Sequence, residues 1–438
     1  MKHTVKWIWF AEKCEAGNSE MVKIYERYGS INAIYLADFE SYIDNDVSEA
    51  LAERLSDKSL DRAYSIIEYC EKSRVGILTY ACEEYPKSLR SIKDPPAVLY
   101  YLGRLPDLNK NLCIATVGTR RMSEYGMRSA YKIAYEIASS GAIIVSGMAL
   151  GIDSVAASAA LKAGGKTIAV LGSGIDIVYP KEHKKLYRAI AEKGAVITEY
   201  PPSSEPRSFN FPVRNRIISG LSQGTVVIDA AEKSGALITS KTAILQGRDI
   251  YAVPSNIDSE NSSGTNSLIR DGAQAVLCGY DVIKNYAYLF RDTLDIQKLR
   301  AAEKRSEFDA SVLAYYGVRA RGSKPAFEGA SARAERERTA EFTRSSSISA
   351  RPETKEDNID VQKALKESDE RGDRSREALA ALGDYERRIF EQMPLDRSVS
   401  LDYFAANGED IQRVMFALTT LEISGLVSSL PGALYIRK

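Results

Sequence analysis

Between residues 76 and 290 short apolar runs alternate with amphipathic stretches, and this alternation constrains the fold more than any other feature of the chain. The runs fall at 113–117, 142–146, 167–171, 195–198, 225–229, 249–253 and 275–277. Helical periodicity separates them at 123–140, 152–163, 182–192, 213–221 and 237–246. Strands that are apolar on both faces and joined through helices predict a mostly parallel sheet covered on two sides, a Rossmann-like α/β sandwich. Such sheets bind ligands beyond the carboxyl ends of their strands, where helix N-termini offer N–H groups.

The flanks have a different texture. Residues 1–72 read as short helices at 20–28, 30–36, 48–55 and 61–70, a small helical domain. Residues 291–380 carry Arg/Glu/Ser-rich stretches with too little apolar surface to offset the entropy of ordering, which predicts a flexible linker with helical pieces near 294–305 and 309–316. Residues 381–438 recover periodicity as helices at 385–393, 401–406 and 411–424, the last ended by Gly425. Two strands, 426–430 and 434–437, then pair across Pro431 and Gly432, a winged-helix layout.

Composition excludes several classes. Five scattered cysteines and two histidines, His3 and His183, leave no metal site, disulfide frame or multi-histidine catalytic centre to build. No apolar run reaches membrane-spanning length and the first residues lack a secretory layout, so a cytoplasmic protein is expected. Lys+Arg and Asp+Glu both number 59, yet residues 110–285 hold 20 basic against 15 acidic residues, 20 − 15 = +5. That local excess suits a polyanion. The tail is slightly acidic and its third helix offers only Arg413, which favours docking of protein over reading of DNA.

Chemistry concentrates at the strand ends. VGTRR (117–121) follows a strand: Gly118 permits a tight turn, and Thr119 and Arg120 suit a phosphate. SGMALGID (146–153) offers Ser146 and Gly147 ahead of a helix, with Asp153 in the role of helix cap. LGSG (171–174) is a third such turn, a weak dinucleotide signal without a ribose-binding acid after it. FNFPVRNRIISGLS (209–222) puts Phe211 beside Arg214, Asn215 and Arg216, aromatic and cationic groups suited to stacked bases and tracked phosphates. The bland alternative is a hydrophobic staple with a salt-bridged helix. Ser234, Gly235 and Lys241 extend the pattern, with Lys181 a further candidate.

Taken in order, EYP (84–86), VGTR (117–120), SGMALGID (146–153), AVLG (169–172), YP (179–180), EYP (199–201), FPVRNRIISGLS (211–222), SGALIT (234–239) and VP (253–254) resemble the DNA-processing protein A family (DprA, also called Smf). The resemblance implies a cytoplasmic single-stranded DNA-binding protein of natural transformation and recombination. It would protect incoming strands, help load the RecA recombinase, act as a homodimer, and need neither cofactor nor catalytic residues. By the same resemblance the flanks would be SAM-like and winged-helix modules. Gly118, Thr119, Arg120, Ser146 and Gly147 would hold phosphate. Phe211 would supply an aromatic contact, with Arg214, Asn215 and Arg216 on phosphates or base edges. The chain departs from the family's usual pattern at Leu150, Ala157 and Ser255, where a basic residue, a histidine and a glycine are common. The competing enzyme reading, a nucleotide-cleaving, lysine-decarboxylase-like Rossmann protein, needs a PGGxGTxxE signature, and SQGTVV (222–227) lacks its glycine run and glutamate.

Overall fold

The computed structural model describes residues 2–318, 382–394, 399–424, 426–430 and 434–437. The chain divides into two compact units, Met1–Gly322 and Ser323–Lys438. The first is built on a nine-stranded sheet. Its strands are β1 (Gly76–Thr79), β2 (Val98–Gly103), β3 (Cys113–Gly118), β4 (Ile143–Ser146), β5 (Thr167–Val170), β6 (Ala195–Thr198), β7 (Gly224–Ile228), β8 (Asp249–Ala252) and β9 (Gln274–Ala275). They lie in the order β1-β2-β6-β5-β4-β3-β7-β8-β9.

From β6 to β9 every neighbouring pair is parallel. The interior strands β4, β5, β6 and β7 are buried at every position, as the unbroken apolar runs required. The expected parallel sandwich therefore forms. It carries an antiparallel margin that periodicity did not reveal, since β2 runs against β6 and β1 against β2. The alternation of strand and long helix passes over both, because only the four-residue helix Lys87–Arg90 separates β1 from β2 and no helix separates β2 from β3.

The N-terminal residues were the largest omission from the expected helices. Lys2–Cys14 is a helix in which Trp7, Ile8, Trp9 and Phe10 are all buried in succession. Four consecutive buried residues leave no polar gap in that stretch, while His3, Lys6, Glu12 and Lys13 around it keep some exposure, so the three-to-four spacing that marks amphipathic helices is blurred. These side chains share one continuous core with Val98, Tyr100, Met148, Leu171 and Val196 of the sheet layer. Residues 2–73 thus pack as part of the sheet body.

Part of the segment expected as linker is also packed. Ile296–Glu303 and Ala310–Tyr315 are helices whose Leu299 and Leu313 join the core under the other sheet face. The rest of the expected linker, 319–380, lies outside the described residues.

The second unit contains helices Asp384–Gln392, Leu401–Ala406 and Ile411–Ile423. Strands Val427–Leu430 and Leu434–Arg437 are antiparallel, and a short third strand, Val399–Ser400, adds to Leu434–Arg437. Ile389, Phe390, Phe404, Val414, Leu418 and Leu421 form its core. The expected helix stop at Gly425 and the turn at Pro431 and Gly432 lie outside the described residues. Among the described residues no helix is long and apolar enough to cross a membrane.

Candidate functional site

The strand order reverses beside β3, because the chain runs outward through β4, β5 and β6 and then returns to β7 on the opposite side. A ligand crevice is expected at this switch point. Here it is filled from within. Asp229, at φ +56° just past β7, accepts the Ser123 N–H at the start of the Glu124–Ser139 helix, and Asn261 Nδ2 donates to the same carboxylate at 3.4 Å. A Cβ at Gly126 would lie 2.3 Å from Asp229 Oδ2, so the glycine makes room for this carboxylate. The positive end of that helix is already matched by a negative group.

The open chemistry lies instead over the β3, β4 and β5 turns, and the Asn210–Leu221 helix brings it there. That helix buries Ile217, Ile218 and Leu221 against the sheet, which anchors it by about 1.5–3 kcal/mol for each such side chain. Its first turn is tied down as well: Asn210 Nδ2 donates to the Gly172 carbonyl at 2.8 Å, and the Tyr200 hydroxyl donates to the Asn210 carbonyl at 3.3 Å.

Arg214 projects inward from this helix and is 3% exposed. Its Nη1 donates to the Gly147 carbonyl at 3.1 Å and to the Val170 carbonyl, so it fastens the ends of β4 and β5. Asp153 accepts the Gly147 N–H at 3.0 Å and the Ala149 N–H at 3.4 Å. A Cβ at Gly147 would fall 2.7 Å from the Arg214 guanidinium and 2.8 Å from the Asp153 carboxylate, so only glycine fits between the two charges. Burial pushes the Asp153 carboxyl up, and the nearby Arg214 charge opposes that rise. Burial also brings Arg214 down to about 10, with Asp153 opposing the fall and Arg120 adding to it, so the guanidinium remains charged at neutral pH.

Above this buried pair sits Phe211. The exposed Arg120 guanidinium lies 5.4 Å from its ring centroid, Arg214 lies 5.8 Å from it, and the Tyr179 ring lies 5.4 Å away at 33°. The three turns meet here. A Cβ at Gly151 would collide with Thr119 O and the Arg120 backbone, and one at Gly172 would come within 3.0 Å of the Phe211 ring.

Of the residues singled out from sequence, Gly118, Thr119, Arg120, Gly147, Phe211 and Arg214 belong to this cluster, and Asn215 holds Arg214 Nε through its side-chain oxygen at 3.2 Å. Gly118 is packed against the Ile228 carbonyl and Ile152. Thr119 is a structural clasp, its N–H donating to the Asp229 carbonyl at 2.9 Å and its carbonyl accepting the Ile152 N–H at 3.2 Å. Ser146 is 1% exposed and its hydroxyl donates to the Thr116 carbonyl at 2.7 Å, so it faces the sheet. Lys181 is exposed two residues beyond Tyr179.

Three candidates lie elsewhere. Ser234 caps the Gly235–Leu245 helix by accepting the Ala236 N–H, and Gly235 and Lys241 are exposed on that helix. Among the described residues, no hydrogen bond or ring contact joins these three to the Phe211 cluster. Nor does Arg216 face the rim. It is 2% exposed, donates to Glu199 and reaches Asp94 at 3.3 Å, on the side lined by Gly17 and Asn18. Burial works against the Arg216 charge, but Glu199 and Asp94 together raise its pKa above the ordinary value.

Asp153, expected as a helix cap, instead lies inside the Ile152–Lys162 helix, whose cap position is Gly151, and its carboxylate organises the preceding turn; His183 was missed. The His183 Nδ1 lies 3.0 Å from the Met148 carbonyl, supporting a buried residue held at φ +53°. Burial lowers the His183 pKa, so the ring beneath this turn is neutral. Tyr179 was visible only as part of a YP pair, with no signal in the chain for where its ring would stand. One trio of potential metal ligands occurs among the described residues, Glu136, Cys278 and Glu303. Both Glu136 oxygens are already taken, by the Gly279 N–H at 2.6 Å and the Ser306 hydroxyl at 2.8 Å.

Comparison with known proteins agrees with this architecture. Residues 76–287 match the family described as DNA recombination-mediator protein A. Protein Smf of Synechocystis is 42% identical over 217 residues, 49% of this chain and 54% of that protein. The chain therefore spans about half the length of that relative. DNA processing protein DprA of Streptococcus pneumoniae is 44% identical over 204 residues, 47% of this chain and 72% of its own length. The X-ray structure of DNA processing protein A from Streptococcus pneumoniae superposes with a TM-score of 0.58 at 35% identity, covering 65% of this chain and 98% of that one.

Proposed function

The chain belongs to the DNA recombination-mediator protein A family, and from that premise we propose that its strand-end rim grips single-stranded DNA in transformation and recombination. One observation carries the reading. An exposed guanidinium, Arg120, is held over the half-buried Phe211 ring, with the Tyr179 ring alongside. A cation next to aromatic rings pairs a phosphate contact with a base contact within one nucleotide's reach. In a duplex the base faces are already stacked, so this arrangement selects an unpaired strand.

The protein is a binder, not an enzyme. Both carboxylates near the rim are committed to backbone N–H groups, Asp153 to Gly147 and Ala149 and Asp229 to Ser123, which suits them to shaping turns. The phosphate contact falls chiefly to Arg120, with Lys181 second. Arg214 and Gly147 shape the floor. Asn215 steadies Arg214, while Arg216, Ser234, Gly235 and Lys241 stand in the same reading as peripheral.

The wider role extends the proposal: a cytoplasmic homodimer that shields incoming strands and helps load RecA, with 381–438 a winged-helix module that docks protein. Arg413, the one cation of the third tail helix, lies 4.6 Å over the Tyr385 ring, which favours that use over reading of bases. The test is a gel shift of the purified chain with single-stranded and duplex oligonucleotides, repeated over a salt series. The wild type is expected to prefer the single strand. Arg120→Ala is expected to bind roughly tenfold more weakly, with a salt slope lower by about one contact. Equal affinity for both DNA forms, or an unaltered slope in a folded variant, would overturn the reading.

A further inference from the structure

We infer that a base of the bound strand stacks on Tyr179, and that Phe211 is a positioning residue holding the Tyr179 ring and Arg120 in place. The inference rests on the single-strand reading above and names a contact within it. Phe211 is hemmed in on several sides: Gly172 lies beneath, so close that a Cβ there would come within 3.0 Å of the ring, and Arg120, Arg214 and Tyr179 stand at 5.4, 5.8 and 5.4 Å. Little of its face remains for a nucleobase. Tyr179 is 44% exposed and tilted 33° against Phe211, so its own ring continues the aromatic surface outward into solvent. The exposed Lys181 follows two residues later, and Arg120 stands across Phe211. Two exposed cations thus belong to this aromatic cluster, Lys181 by its place in the chain and Arg120 through its contact with Phe211, and they suit the phosphates on either side of a stacked base.

Base stacking and phosphate pairing respond differently to salt and to the strand's chemistry, which separates the two roles. The probes are an oligo-dA strand and an abasic strand of equal length, each titrated against the full-length protein. Tyr179→Ala is expected to bind oligo-dA about tenfold more weakly than wild type with an unchanged salt slope, and to bind the abasic strand like wild type. Tyr179→Trp and Tyr179→Phe should keep oligo-dA affinity within about threefold, because the π face and not the hydroxyl is used. Phe211→Ala should lose affinity for both strands, since it releases Arg120 as well. The inference is overturned if Tyr179→Ala binds oligo-dA as well as wild type does, or loses both strands equally. If wild type binds neither strand, the single-strand reading itself fails, a separate outcome visible before any variant is made.

Discussion

Arg214 and Arg216 stand two residues apart on the Asn210–Leu221 helix, and both are almost completely buried. Their surroundings are opposite. Arg214 points to the turn side, where it ties Gly147 and Val170 and lies beneath Phe211. Arg216 points to the side of the N-terminal helices, where Glu199 and Asp94 receive it near Gly17. Two steps along a helix turn a side chain by about 200°, so neighbours at this spacing cannot share a face. A run of arginines that reads as one basic patch is therefore two separate devices. One organises the binding rim, and the other locks the helical segment to the sheet.

The contrast breaks most visibly in stability. Arg216→Ala leaves Glu199 buried and short of its counter-charge, and the expected loss is about 3–5 kcal/mol in urea unfolding. Whatever fraction remains folded should hold single-stranded DNA like wild type. A folded Arg216→Ala protein of normal stability that no longer binds DNA would merge the two devices again.

Arg214→Ala comes next and should register on both scales. Losing its ties to Gly147 and Val170 and taking the nearest opposite charge from Asp153 is expected to cost about 2 kcal/mol of stability. Affinity should also fall, because the floor under Phe211 loosens. Adding Asp153→Asn to that variant should recover part of the stability, with urea midpoints as the measurement. No recovery would show that Asp153 does not depend on Arg214.

The smallest effect concerns His183, a buried group whose burial lowers its pKa below the ordinary 6.5. The unfolded chain then takes up a proton that the folded ring refuses. Stability owed to the neutral ring is present above about pH 6.5 and is lost as pH falls through the unfolded value toward the folded one. His183→Gln should flatten the fall in stability that wild type shows as pH drops below about 6.5. Parallel profiles would mean the ring is not refused its proton.

Much of the fold was legible because it depends on periodicity. The parallel strands β3 to β9 and five of the helices between them announce themselves as apolar runs and three-to-four spacing, whereas the Ser263–Arg270 helix does not. Where buried residues follow one another without a gap, or a strand has no long helix after it, the pattern disappears. The Lys2–Cys14 helix is the first case and strand β1 the second. The helices at 296–303 and 310–315 show a third, since Leu299 and Leu313 are too few to mark the segment as packed until a sheet face receives them.

The candidate site divides along the same line. Gly118, Gly147, Gly151 and Gly172 are written in the chain because close backbone approach admits nothing larger, and the sequence placed each at a strand end. Which side chains reach solvent was a tertiary decision. Ser146 turns to the Thr116 carbonyl, Arg216 to its carboxylates, and Tyr179 outward beside Phe211. Local spacing fixes backbone conformation through sterics and hydrogen bonding, and these act within a few residues. Exposure and charge pairing depend on which distant segment arrives to cover a group, and only the assembled layers of the molecule settle that.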